Sequence, residues 1–205
     1  MSIEIERNIE SRKETDRIMW FSMWILLSVA TFGIIWFLMI YLLIKRRNAH
    51  FSRQEKLETL ILNKAGQSTE EKPLNYDSAL GFAKKNPTSP PKNAQIWALS
   101  TILIVPAFYV FYFLITDLQK HEEHEREFFM KNILPARYSG LSADPSGPAV
   151  TKKFAFNKYL VLSVITCGFA AVYWLYRIFN DYNKHFKKQW KLEDDVLRQF
   201  KKTED

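Results

Sequence analysis

An internal repeat limits the folds open to this chain. Residues 21–62 reappear without a gap at residues 156–197, and 15 of the 42 aligned positions are identical. Both copies contain Leu-Ser-Val-x-Thr-x-Gly in an apolar run, followed by Asn-x-His-Phe-x-x-Gln-x-Lys-Leu-Glu in a charged run. The repeat predicts one structural unit used twice, an apolar segment continued by a charged tail.

Three stretches of the chain carry no charged residue. They cover residues 18–44, 93–116 and 159–176, which are 27, 24 and 18 positions long. A spanning helix needs roughly 20 mostly apolar residues to cross a hydrocarbon core of about 30 Å. Trp and Tyr near the ends of these stretches favour the headgroup level. We therefore predict an all-α, polytopic membrane protein with three transmembrane helices.

Each predicted span continues as an amphipathic interfacial helix. In the first and third tails, apolar side chains recur at spacings of three and four residues, which is typical of one helix face. Such a face has to be covered. The candidates are the membrane surface, a partner helix or the other tails.

The sequence divides into six segments, and the charge distribution predicts their orientation. In order, they are a polar N-terminal segment (1–17), a span with its tail (18–65), a Pro/Gly-rich loop (66–95), a span with a charged His/Glu helix (96–134), a second Pro/Gly-rich loop (135–153), and a span with its tail (154–205). With three spans, more Lys and Arg flank the C-terminal side of the membrane. The positive-inside rule then predicts a multi-pass protein of the cell membrane with its N-terminus outside and its C-terminus cytoplasmic.

The net charge of +7 is better explained by a membrane than by nucleic acid. Basic residues that flank spans meet anionic lipid headgroups. The lipid bilayer is therefore the expected partner, and no nucleic acid is expected.

Each apolar stretch has a helix breaker near its centre, namely Gly33, Pro106 or Gly168. A re-entrant hairpin that returns to the same side is one geometry that such breakers allow. Spanning helices are favoured, because irregular backbone exposed to lipid costs several kcal/mol for each unsatisfied amide. The small and hydroxyl-bearing residues of the repeat are then predicted to pack helices closely. They are Gly33, Gly168, Ser28, Ser163, Thr31 and Thr166.

A Tyr-x8-His spacing occurs three times, as Tyr41/His50, Tyr112/His121 and Tyr176/His185. Either the middle stretch is a degenerate third copy that crosses the membrane in the opposite direction, or it is a plain linking helix. His50 and His185 are expected to form hydrogen bonds at the interface and to pack near Tyr41 and Tyr176. The residues predicted to make interactions at this border and in the tails are Tyr41, His50, Phe51, Tyr176, His185, Phe186 and Trp190.

One local cluster has the composition of a metal site. His121, His124 and Glu125 share a helix face, and two imidazoles with a carboxylate can bind zinc or a similar ion. A solvated face of Glu, His and Lys explains the same run. No other cofactor is expected.

Nothing else in the sequence indicates catalysis. There is no Gly-rich phosphate loop, no Gly-x-Ser-x-Gly and no cysteine pair, since Cys167 is the only cysteine. The uncharged stretches also lack the ionisable groups that ion-coupled transporters place at membrane depth. We therefore expect a non-enzymatic scaffold or accessory subunit that binds other subunits or itself. A small channel or transporter and a metal-responsive membrane sensor are the alternatives.

The third unit resembles a family of small prokaryotic membrane proteins known as domain of unknown function 4234. The resemblance rests on residues 162–183, with Thr166, Gly168, Tyr173-Trp174, Tyr176 and Asn183 at the matching places, and on a partial second copy at residues 27–48. It implies an integral membrane protein and assigns no catalytic residue.

Overall fold

The computed structural model describes residues 2–67, 89–130 and 155–204, and every regular element within these ranges is a helix. These elements are α1 (Ser2–Glu10), α2 (Arg12–Thr15), α3 (Phe21–Ala30), α4 (Ile34–Gln67), α5 (Ala94–Ser100), α6 (Ile104–Phe128), α7 (Phe156–Ile165) and α8 (Phe169–Glu204). The predicted all-α class is confirmed. The predicted loop 135–153 lies outside the described residues, as does most of the loop predicted over 66–95.

Each uncharged stretch forms a helical hairpin. A short helix (α3, α5 or α7) is followed by a three-residue turn and by a long helix (α4, α6 or α8) that runs back beside it. The two ends of each hairpin therefore lie together. Arg46 of α4 donates to the carbonyl oxygen of Arg17 at 3.1 Å, and Arg177 of α8 donates to the hydroxyl oxygen of Tyr159 at 2.9 Å.

The continuous transmembrane helices predicted over residues 18–44, 93–116 and 159–176 are not formed. Among the described helices, none has both the length and the apolar sequence needed to cross a bilayer. The prediction was wrong because hydropathy counts apolar residues without registering a reversal of the chain. All three uncharged stretches instead form the hairpin geometry, which was less favoured from the sequence than a spanning helix.

The Thr-x-Gly of the repeat is the turn at each hairpin tip. Gly33 adopts a φ of +89°, and Gly168 adopts +97°, which is the left-handed region that favours glycine. The N–H of Gly33 donates to the carbonyl oxygen of Ser28 at 2.7 Å and ends α3. The hydroxyl of Thr31 accepts from the N–H of Ile35 at 3.1 Å and begins α4. The second copy repeats both bonds, at 2.8 and 2.9 Å.

These glycines do not pack helices. A Cβ atom added to Gly33 or Gly168 would have no atom within 4 Å, so the prediction of close helix approach at the glycines is wrong. Thr31 and Thr166 lie in the same turns. Ser28 and Ser163 are buried, and each hydroxyl donates to the carbonyl oxygen four residues earlier in its helix.

The middle hairpin repeats this architecture without the Thr-x-Gly sequence. Its turn covers residues 101–103, and Pro106 lies in the first turn of α6, where a missing N–H costs little. The side-chain N–H of Trp36 in the first hairpin donates to the hydroxyl of Thr101 at 3.0 Å. The middle segment is therefore a helix–turn–helix hairpin like the other two.

The three long helices α4, α6 and α8 form a parallel bundle. Near the tips, the ring of Phe111 in α6 lies 6.2 Å from Trp36 in α4 and 5.6 Å from Trp174 in α8. Farther along, Gln189 of α8 donates to Gln54 of α4 at 2.9 Å. Residue numbers rise together along all three helices, so the three tips lie at one end. The tails pack on one another, which was one of the three expected arrangements.

The predicted N-terminal segment 1–17 contains α1 and α2, which lie at the far end of the bundle. Ile5 and Ile9 of α1 pack in one buried cluster with Leu57 of α4, Phe128 of α6 and Val196 of α8. The N-terminus and the C-terminal tail therefore lie at the same end. The prediction that they occupy opposite sides of a membrane is wrong, because each hairpin returns the chain to the end it came from.

Candidate functional site

Three histidines, one from each long helix, meet on the bundle axis. His50, His121 and His185 follow the last residue of their hairpin turns by 17, 18 and 17 residues. Their ring centroids are 5.1, 5.2 and 5.2 Å apart, an almost equilateral triangle. All three side chains are buried, and one ring nitrogen of each lies within 4.8 Å of the others. The register of the parallel helices therefore brings three equivalent residues to one point.

Two of the rings are oriented by carboxylates. Nδ1 of His50 lies 2.8 Å from Asp16 Oδ1, and Nδ1 of His185 lies 3.2 Å from Glu122 Oε1. A carboxylate only accepts, so each Nδ1 carries the proton and each Nε2 is left facing the axis. These two Nε2 atoms are 3.1 Å apart.

The third ring has no such partner. Both nitrogens of His121 are buried, and neither forms a hydrogen bond with any described residue. The ring stacks on Phe51 with centroids 4.2 Å apart and an interplanar angle of 21°. Buried polar atoms are nearly always satisfied. Among the three histidines, His121 is therefore the one whose buried ring nitrogens have no hydrogen-bond partner in the described part of the chain.

Burial and neighbouring charges set the protonation of the cluster. Burial lowers the pKa of His50 to about 4, although Asp16 opposes the shift. Burial also lowers the pKa of His121, and the charges of His50 and His185 lower it further. Burial acts to lower the pKa of His185 as well, but the hydrogen bond with Glu122 and the charges of Glu125 and Glu122 together outweigh it, so this pKa is raised. Two of the three imidazoles are thus held neutral, with a lone pair available.

Asp16 anchors the site from outside the repeat. Its Oδ2 accepts from Arg53 at 2.8 Å and from the indole N–H of Trp190 at 3.0 Å. Burial raises the pKa of Asp16, but His50 and Arg53 lower it more, so it lies well below its usual range. The carboxylate is therefore ionised and fixed in position. Sequence reasoning did not single out Asp16, since nothing near it in the sequence marks it.

The metal set predicted from local spacing is only partly assembled. His121 joins the axial cluster, but Nε2 of His124 lies 3.1 Å from Glu58 Oε2 instead. Burial raises the pKa of Glu125 to about 7, and this residue is not in the group of converging ligand atoms. The grouping of His121, His124 and Glu125 is therefore wrong. The convergence of His50, His121 and His185 was not predicted, and the threefold Tyr-x8-His spacing is the sequence signal that could have identified it.

The residues that were predicted to make interactions differ in their burial. Phe51, His50, His185 and Phe186 are buried between the long helices, and the Phe186 ring lies 4.6 Å from the His50 ring. Trp190 is half-buried against α2. Tyr176 is exposed, with its ring 5.4 Å from Phe21, and Tyr41 is half-buried.

No protein-family model, curated protein or solved structure matches this chain. The resemblance to domain of unknown function 4234 therefore stays a prediction.

The hairpin end of the molecule forms a second candidate site, which we call the apolar end. Of the 26 large hydrophobic side chains exposed in the described residues, all but Ile3 and Met130 lie in the three hairpins. The most exposed are at the tips, where Phe32 is 100 % exposed and Val105 and Phe169 are 79 % exposed. A water-facing surface rarely carries so large a contiguous apolar patch.

Basic residues surround the molecule where the apolar end stops. We call Arg17, Lys45, Lys92, Lys158 and Arg177 the basic collar. Three of them lie over aromatic rings, at distances of 5.8 Å (Lys45 to Tyr41), 5.4 Å (Lys92 to Phe113) and 5.7 Å (Arg177 to Tyr159). The collar thus separates an uncharged end from a charged bundle.

Proposed function

We propose that this chain is a non-enzymatic membrane protein that inserts its three hairpin tips into one leaflet of the bilayer. The bundle then stands above the headgroups, where it acts as a scaffold or accessory subunit of a larger membrane assembly. The observation that carries the proposal is the apolar end, where three uncharged hairpins expose large hydrophobic side chains in the same direction. Lipid is the partner that covers such a surface without any specific complementary shape.

The length of the apolar end supports insertion into a single leaflet. The first charged residue after each turn is Lys45, Asp117 or Arg177. At a rise of about 1.5 Å per residue, these positions are about 14–21 Å from the tips. One leaflet contributes about 15 Å of hydrocarbon, half of a core of about 30 Å. The hairpins are therefore long enough to reach the bilayer midplane.

Hydrogen bonds within the tips of the first and third hairpins lower the cost of placing a re-entrant turn in lipid. Lipid-exposed amides are costly when they are unsatisfied. At the tips, the N–H groups of Gly33 and Gly168 are bonded to carbonyl oxygens, and those of Ile35 and Ala170 are bonded to threonine hydroxyls. The turns thus satisfy much of their own hydrogen bonding.

The basic collar supports a leaflet that carries anionic headgroups. Its five cations lie where the uncharged sequence ends, and Tyr41 and Tyr159 lie beneath two of them. Aromatic rings and basic side chains are the residues that favour the interface of such a membrane.

The packing of the axis favours this role over a channel or transporter. Trp174, Phe111 and Leu114 are buried between the long helices. A path between the two repeat copies would have to be lined by residues that they share, but Thr31, Gly33, Thr166 and Gly168 belong to the turns at the tips.

Topology mapping tests insertion from one side. In a Cys167→Ser background, single cysteines replace the exposed residues Glu14, Glu123 and Lys187, and sealed vesicles are treated with a membrane-impermeant maleimide. Hairpins predict that all three positions react from the same side. Spanning helices predict that Glu14→Cys and Lys187→Cys react from opposite sides, and that result would overturn the proposal.

The assembly role needs a separate measurement. Native mass spectrometry of the full chain, released from its membrane in mild detergent, should give a mass above that of one chain. A strictly monomeric particle would exclude the scaffold or subunit role while leaving insertion intact.

A further inference from the structure

We propose that His50, His121 and His185 bind one divalent transition-metal ion, with zinc as the best fit, on the axis of the bundle. The ion would join α4, α6 and α8 at the level just above the basic collar. This inference stands apart from membrane insertion, because it rests on a buried side-chain cluster in the other half of the molecule.

The spacing of the rings fits a tetrahedral ion. With metal–nitrogen bonds of about 2.0–2.1 Å, two imidazole nitrogens on one tetrahedral ion lie about 3.3 Å apart, and the ring centroids about 5.2 Å apart. His50 Nε2 and His185 Nε2 are 3.1 Å apart. All three centroid distances are 5.1–5.2 Å. One ring nitrogen of His121 lies within 4.8 Å of the other two ligand atoms, so a shift of this side chain toward the axis would bring it to bonding distance.

The hydrogen bonds around the cluster are those of metal-binding histidines. Such a histidine commonly donates its second ring nitrogen to a carboxylate, which fixes the tautomer and makes the ligand more basic. Asp16 accepts this hydrogen bond from Nδ1 of His50, and Glu122 accepts it from Nδ1 of His185. Asp16 is itself held by Arg53 and Trp190. These hydrogen bonds therefore orient the Nε2 atoms of His50 and His185 toward one metal ion on the bundle axis.

His121 supplies the independent observation. Its side chain is 1 % exposed, and both ring nitrogens lack a hydrogen-bond partner among the described residues. A buried polar group without a partner destabilises the fold. A metal bond at one nitrogen would turn this unsatisfied side chain into a ligand, while Phe51 holds the ring in place.

The ligand set selects the kind of ion. Imidazole suits Zn²⁺, Cu²⁺, Ni²⁺ and Fe²⁺, whereas Ca²⁺ and Mg²⁺ require oxygen ligands. Zn²⁺ accepts three protein ligands and a fourth, exchangeable one. Because each ligand belongs to a different hairpin unit, the ion would act as a cross-link between the three repeats.

Metal titration of the full chain in mild detergent tests the proposal. After treatment with a chelator, the protein is titrated with Co²⁺ alone, whose visible absorption reports tetrahedral coordination, and then with Zn²⁺. We expect one Co²⁺ per chain, displacement by Zn²⁺, and a rise in Tm of about 5–10 °C at a Zn²⁺ concentration a hundredfold above Kd. Absence of saturable binding to the wild-type chain would overturn the proposal.

Two variants on the same helix locate the site. His121→Phe keeps the stacked ring but removes the ligand, and should weaken Zn²⁺ binding by more than the 10- to 100-fold typical of outer contacts. His124→Gln, one turn away and paired with Glu58, should retain one ion per chain. Equal affinity in His121→Phe and the wild type would contradict the assignment.

A measurement on the wild-type chain keeps the test independent of variant folding. The chain has four histidines. In protein labelled with ¹⁵N-histidine, one equivalent of Zn²⁺ should shift ring-nitrogen signals of three of them and leave His124 unchanged. Shifts confined to His124, or to no histidine, would refute the site.

Discussion

Polar substitutions at the three hairpin tips should release the protein from membranes. The triple variant Phe32→Asn, Val105→Ser and Phe169→Ser replaces one highly exposed side chain in each hairpin. Asparagine tolerates the positive φ of Phe32, which is +50°. Since few described side chains cover these positions, the fold should be retained, and far-UV circular dichroism in detergent checks this.

The expected loss of membrane affinity follows from the exposed fractions of the three residues. Complete burial of a Val or Phe side chain contributes about 1.5–3 kcal/mol. Scaled by exposures of 100, 79 and 79 %, the three tips contribute about 4–8 kcal/mol to insertion. Because each 1.4 kcal/mol is a factor of ten, the partition coefficient between vesicle and buffer should fall at least about a thousandfold.

Flotation with vesicles that contain anionic lipid, across a series of lipid concentrations, measures this partition. The control is Ile3→Ser, which removes an apolar side chain 67 % exposed at the opposite end of the bundle. It should float like the wild type. If the triple variant partitions within tenfold of the wild type, the tips do not enter lipid and the proposed mode of insertion is wrong.

Three further substitutions test the fold. Gly33→Ala should lower the free energy of unfolding by about 1–2 kcal/mol, measured by denaturant titration in detergent, because φ is +89° although the space for a Cβ is open. Arg53→Met should lower the free energy of unfolding by about 3–5 kcal/mol, since it removes the guanidinium that lies 2.8 Å from Asp16 and 2.7 Å from Glu193, both buried, whereas the surface control Arg198→Met should cost at most about 1 kcal/mol. Trp174→Ala should cost about 3–5 kcal/mol by thermal unfolding, because the side chain is fully buried; a loss below 1 kcal/mol would contradict its place in the core.

The sequence predicted the elements of this fold better than their directions. The all-α class, the three apolar segments and the helical tails follow from periodicity and charge, and the structure contains them. Hydropathy does not distinguish a spanning helix from a hairpin of the same length, because both are apolar throughout. The sequence signal for a reversal of the chain was local. Thr31 and Gly33, repeated at Thr166 and Gly168, supply an N-cap hydroxyl and a left-handed residue within three positions.

The site was harder to predict because its residues are far apart in the sequence. Local spacing grouped His121 with His124 and Glu125, which share one helix. Helix periodicity describes one helix at a time, whereas the cluster arises from the register between three helices. Only the recurrence of Tyr-x8-His reflects the register between the helices. Once the helices are known to be parallel, this recurrence places the three histidines at one level. Asp16 had no signal, since a lone acid in a polar segment is common.

The parallel arrangement of the long helices has a consequence for the order of folding. Parallel neighbours cannot be sequential partners joined by a tight turn, so their contacts join residues far apart along the chain. Gln54 and Gln189 are separated by 135 residues, and Asp16 and Trp190 by 174. Such contacts form late, because the ends of a long loop have to meet first. The hairpins, whose contacts are local, can each form as the chain is synthesised, whereas the bundle has to wait for α8. A chain that ends before α8 should therefore contain formed hairpins and no bundle.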